Sequence, residues 1–183
     1  MIRQHQKAIV RLHGTMDERI KKANRLAVIT QRIGFAIWQI QELEGCTAQY
    51  LVLVTQAKKG MGTKAGNELL DKAFGKTFGA TIHQATKAGI LSPELERRFC
   101  ALLLERNWLV HKSRAQSRNA IHSDQIAEKV IRRLDAMADE SKALLSEIGA
   151  LAERHVKSFG FSQQQLEEVA NRLLEQWHDP TAI

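Results

Sequence analysis

Ile126, Val130, Leu134, Met137, Ser141, Leu144, Ile148 and Leu151 follow one another at alternating spacings of three and four residues. Only a helix brings such positions onto one side, and the near-heptad interval makes that side a narrow apolar seam. A seam of this length needs a facing helix, from the same chain or from a second copy. The whole chain contains just two prolines, so little interrupts other helices. Ala, Leu, Glu, Lys, Gln and Arg dominate the rest, which favours helix again.

Other segments carry the same signature. Thr15 followed by Glu18 has the pattern of a capping box. Ile20, Leu26, Ala27, Ile33, Ile37, Ile40 and Leu43 then mark a long helix that either continues past Gly45 or stops there; Phe35 and Trp38 read as core. Lys58 to Thr63 reads as a loop. A second helix is expected from about Gly66 to Lys87, stopped at Ala88-Gly89. Ser92-Pro93-Glu94 opens a third: serine caps, proline suits the first helical position, and the acid meets the positive end of the helix dipole. That helix runs to about His111. Polar, aperiodic sequence fills 112–123, and the seam helix follows it, closed by Gly160. Ser162 with Gln165 caps a last short helix bearing Val169, Leu173 and Trp177. These features predict an all-α, up-and-down helical bundle of four to five main helices. They place a single domain over residues 1–183, its core at about 15–159 and an appended helix at about 162–178.

Charge is unevenly placed. Residues 106–133 hold seven Lys and Arg against two acids, whereas residues 134–183 hold four against nine. A local excess of cations is the electrostatic mark of a polyanion site, although a solvated helix face has the same composition. Cys46 and Cys100 stand far apart, with no CxxC or Cys/His spacing, so no metal site and no cofactor is expected. Reduced thiols fit a cytoplasmic protein. The basic, polar start (Arg3, His5, Lys7, Arg11) lacks the apolar stretch of a signal peptide. Tyr50 to Val54 is far too short to cross a bilayer, and no membrane association is expected. Gly60-Met61-Gly62-Thr63-Lys64 lacks the spacing of a phosphate-binding loop.

The third helix ends in Arg106-Asn107-Trp108-Leu109-Val110-His111. Leu95, Phe99, Leu102 and Leu103 form its apolar stripe, and the stripe runs into Arg106 and Asn107. Arginine is rarely buried without a partner, so this interruption requires a reason. Phosphate recognition coupled to proton transfer would use all three polar groups.

At Arg106-Asn107-x-x-x-His111, and in the Ser92-Pro93-Glu94 helix leading to it, the chain resembles the HEPN superfamily over roughly residues 15 to 155. That resemblance implies a helical bundle acting as a homodimeric, metal-independent endoribonuclease with a composite cleft. Many such proteins serve in toxin–antitoxin or antiphage defence, which implies an antitoxin protein as a possible partner; others only bind. One branch carries a tyrosine two residues after the histidine. This chain has Ser113 there, so control through that tyrosine is not implied.

RNA cleavage without metal needs a base for the 2′-hydroxyl, a charge for the phosphorane and an acid for the leaving 5′ oxygen. Histidine titrates near neutrality, making His111 the candidate base or acid. Arg106 can fork onto two phosphate oxygens. Asn107, four residues before His111, shares its face and can orient the ring or donate to phosphate. Lys112, Ser113, Arg114 and Arg118 are candidates for contacting flanking RNA. Arg106 and His111 lie about 140° apart on an ideal helix, so a distorted helix or a partner subunit must bring them together. Two other readings remain open. The cleft binds RNA, a nucleotide or a protein without turnover, or Arg106 is structural, paired with a carboxylate such as Glu105 or Glu42, while the 126–151 seam drives dimerisation.

Overall fold

The computed structural model describes residues 2–178, and side chains from 16 to 176; Arg3, His5, Lys7, Arg11 and the Trp177 ring lie outside the described side chains. Helices account for nearly all of it: α1 (Ile2–Thr55), α2 (Thr63–Phe74), α3 (Phe78–Lys87), α4 (Pro93–His111), α5 (Ser113–Ser117), a 3-10 turn (Arg118–His122), α6 (Asp124–Ser158) and α7 (Gln163–His178). Among the described residues there is no strand.

Capping chemistry sets several boundaries. Ser92 Oγ accepts from the Leu95 amide and Pro93 occupies the first helical position. Ser123 caps α6 through the Ile126 amide. Ser162 and Gln165 satisfy each other's amides reciprocally ahead of α7. Two expectations change. The Thr15/Glu18 box starts nothing, because α1 begins upstream at Ile2 and also runs through Gly45 to Thr55. The span expected as one helix from Gly66 to Lys87 is two, parted at Gly75, with Thr77 Oγ1 capping α3 through the Ala80 amide.

Three long helices, α1, α4 and α6, supply most of the core, and Phe78, Ile82 and Ala85 of α3 complete it. Arg25 of α1 meets Asp124 of α6, and Arg32 meets Asp135 further along both, so α1 and α6 run parallel. Arg98 and Glu105 of α4 meet Glu140 and Arg133 of α6, so α4 runs antiparallel to α6. The middle of the 126–151 seam is therefore spent inside the chain: Leu134, Met137, Leu144 and Ile148 are buried in one cluster with Ala36, Ile40, Leu43 and Leu51 of α1, and Ser141 is buried among them, while Ile126 stays exposed. That covering leaves Leu134 to Ile148 facing α1 rather than a second copy. Ser141 and Thr47, both fully buried, donate to the Met137 and Leu43 carbonyls, so neither hydroxyl is left without a partner. Phe35 and Trp38, expected in the core, lie outside it. Trp38 is 66% exposed, and Phe35 stands out beside the Lys142 ammonium, 4.9 Å from its ring. No helix of the described residues is long and apolar enough to cross a membrane.

Candidate functional site at the end of helix α4

Residues 106–111 occupy the last turn and a half of α4, and the turn is anchored from two sides. Toward α6, Trp108 is nearly buried, with the Arg133 guanidinium 3.5 Å above its ring. Arg133 also forks onto Glu105, Nε to Oε2 at 2.6 Å and Nη2 to Oε1 at 3.1 Å. Beyond the helix end, Trp108 Nε1 donates to Gln116 Oε1 at 2.7 Å. Ser113 Oγ donates to the Leu109 carbonyl at 2.6 Å from a buried position. The corner of α5 and the 3-10 turn is thus fastened to α4, and Ala120 is buried with Ile29 and Ala127 beneath it.

This anchoring divides the candidate residues into two groups. Asn107 and His111 stand exposed on one outward face of α4, together with Cys100 and Leu104. Lys112, Arg114 and Arg118 are exposed at the adjoining corner. Among the described residues, none of these three cations and not His111 is in an ion pair, whereas Arg132 and Arg133 of the same basic segment are held by Glu128 and Glu105. Ser113 stands apart: its hydroxyl points inward and is consumed by the backbone. Arg106 also stands apart. It leans toward α1, where Nε donates to Glu44 Oε1 at 3.2 Å, both side chains partly exposed. Arg106 and Glu44 border a cavity of about 80 Å³ with Ile37, Gln41 and Val110; His111 does not line it. Glu44 and Gln41 also border a second cavity, about 200 Å³, between α1, α2 and α3, where Phe74 and Lys76 complete the wall.

Within one chain, then, Asn107 and His111 share an exposed face of α4, and Arg106 leans away to α1, as its spacing of five residues from His111 on a regular helix requires. Arg106 is expected as a phosphate-binding group, and only the structural alternative gives it a carboxylate such as Glu105 or Glu42; its neighbour is Glu44, and Glu105 serves Arg133. No group of three or more His, Cys, Asp or Glu side chains suited to a metal occurs among the described residues. Comparison with family models, with curated proteins and with solved structures finds no match for this chain.

Proposed function

We propose that this protein is a metal-independent RNA endonuclease of HEPN type, with Arg106, Asn107 and His111 as its reacting groups and a second copy completing the cleft. The observation that carries the reading is the exposed pair Asn107 and His111 beside three cations that have no carboxylate partner among the described residues. In this chemistry His111 takes the 2′-hydroxyl proton, the 2′ oxygen attacks phosphorus, and the 5′ oxygen leaves with a proton from the imidazole opposite. Asn107 steadies the ring. Arg106 neutralises the phosphorane once phosphate replaces Glu44 on its guanidinium.

The test is end-labelled RNA incubated with purified protein in EDTA. Wild type releases fragments ending in 2′,3′-cyclic phosphate; His111→Ala releases none while keeping its helical circular dichroism. Intact RNA with wild type, any bound inhibitor protein having been removed, would refute the assignment.

A second reading is favoured by the Arg106–Glu44 pair, which gives Arg106 a structural occupation. In that case the face binds RNA without cutting it, and His111→Ala alters affinity only. With Lys112, Arg114 and Arg118 as phosphate contacts, binding to a single strand should fall with a log–log salt slope of about −2.

A further inference from the structure

Glu44 faces two cavities at once. On one side it holds Arg106, whose Nε donates to Oε1 at 3.2 Å, beside the smaller cavity. On the other it lines the cavity of about 200 Å³ between α1, α2 and α3, together with Gln41, Gly45, Phe74 and Lys76. Among the described residues no hydrogen bond uses Glu44 Oε2. Packing leaves two features of this larger cavity without a reason. Gly45 lies inside the longest helix, where glycine is unfavourable. A Cβ built on it meets nothing within 4 Å, so no neighbour in the chain requires a glycine there, and helix backbone is laid bare at the cavity wall. Phe74 ends α2 with 49% of its surface exposed, although it borders the same cavity. A bare backbone floor and an open ring suit a flat heterocycle that stacks. The volume lies below the about 300–1,000 Å³ of sites for drug-sized ligands and fits a single ring system.

We infer that this cavity takes the guanine base of a single-stranded RNA whose phosphate lies on Arg106. The inference rests on Arg106 acting as a phosphate group, as proposed above, and adds the base that is read. Guanine carries N1–H and N2–H side by side on its Watson–Crick edge, the same parallel donors that a guanidinium offers a carboxylate. Glu44 already accepts one such N–H from Arg106. When phosphate draws Arg106 away, a carboxylate only 26% exposed loses its donor, and the guanine edge supplies two in its place. No other base does so. Adenine and cytosine each offer one amino group beside a bare ring nitrogen, and uracil offers one N–H between two carbonyl oxygens, which a carboxylate repels. Lys76 sets the charge of the rim: its ammonium is held by the neutral Gln84 amide at 2.9 Å, and by no carboxylate among the described residues. With Arg106 it favours a ligand with an anionic backbone, and so weighs against the other guest suited to a carboxylate beside an aromatic ring, an arginine side chain of a protein.

Fluorescence anisotropy with the full chain tests this on RNA that cannot be cut. The probes are 3′-fluorescein trinucleotides UGU, UAU, UCU, UUU and UIU with 2′-fluoro sugars, I being inosine, which lacks the N2 amino group. Wild type should bind UGU about 5–150-fold tighter than UAU, UCU and UUU, the share of one two-pronged base contact, with UIU between. Glu44→Ala should level the five affinities without weakening UUU, because Arg106 is released at the same time; a Glu44 that only supports the fold would lower all five alike. Gly45→Ala should melt higher, alanine being the better helix former, and yet bind UGU more weakly. Equal binding of the five probes by wild type, a guanine preference that survives Glu44→Ala, or displacement of UGU by agmatine and not by guanosine would each overturn the proposal. A preference for UGU in a chain that leaves natural RNA intact supports the guanine site and counts only against the nuclease reading.

Discussion

Removing the Arg133 guanidinium measures how firmly the last turn of α4 is held. The side chain makes two distinct interactions, a two-pronged pair with Glu105 and a stack on Trp108. Both carboxylate and guanidinium are 39% exposed, so solvent screens the pair and it contributes about 0.2–1 kcal/mol. A guanidinium over an indole at a partly open site adds about 0.5–1 kcal/mol. Arg133→Ala should therefore cost about 1–2 kcal/mol, or about 2–8 °C in Tm for a chain of this size. Urea unfolding of wild type, Arg133→Ala, Glu105→Ala and the double variant separates the two contributions. Glu105→Ala should lose only the ion-pair share in wild type and almost nothing once Arg133 is gone. Arg133→Lys keeps the charge but not the planar fork, and should fall between. Full stability in Arg133→Ala, or an equal cost of Glu105→Ala in both backgrounds, would refute this account of the anchored turn.

The two thiols should differ in reactivity. Burial, with Glu42 nearby, pushes the Cys46 thiol above its ordinary pKa, and Cys100 is exposed, so iodoacetamide followed by mass spectrometry should find Cys100 labelled first. Acid should weaken the junction between α1 and the start of α6. The Arg25 guanidinium holds the Asp124 carboxyl below its usual range, so the folded state favours the ionised form. That stability is present above the unfolded pKa and disappears as pH falls through the folded one. Asp124→Asn should lower the urea midpoint at pH 7 and converge with wild type at low pH; parallel curves across the whole range would contradict it.

Local chemistry is legible in the residues, and relations between helices are not. The Ser92, Ser123 and Ser162 caps are readable because a cap needs only its own first turn. The Thr15 pattern misleads for the same reason: nothing before it stops a helix, so an internal Thr-x-x-Glu is simply overrun. The break at Gly75 is hidden by apolar residues that keep helical phase on both sides of it. Trp38 reads as core by hydrophobicity, although the helical repeat sets it well round from Ile40 and Leu43. At the site, the shared face of Asn107 and His111 follows from a spacing of four. The choice of Glu44 over Glu42 depends on how α1 is rotated and slid against α4, which no stretch of either helix specifies by itself.

The parallel pairing of α1 with α6 has a consequence for synthesis on the ribosome. Partners such as Arg25 and Asp124 are separated by 99 residues of chain. At about 5–20 residues per second, the apolar side of α1 waits about 5–20 s for the strip that will shield it. Nascent chains of this protein thus pass through a vulnerable interval in which chaperone capture, or premature sticking between neighbours on a polysome, competes with correct closure.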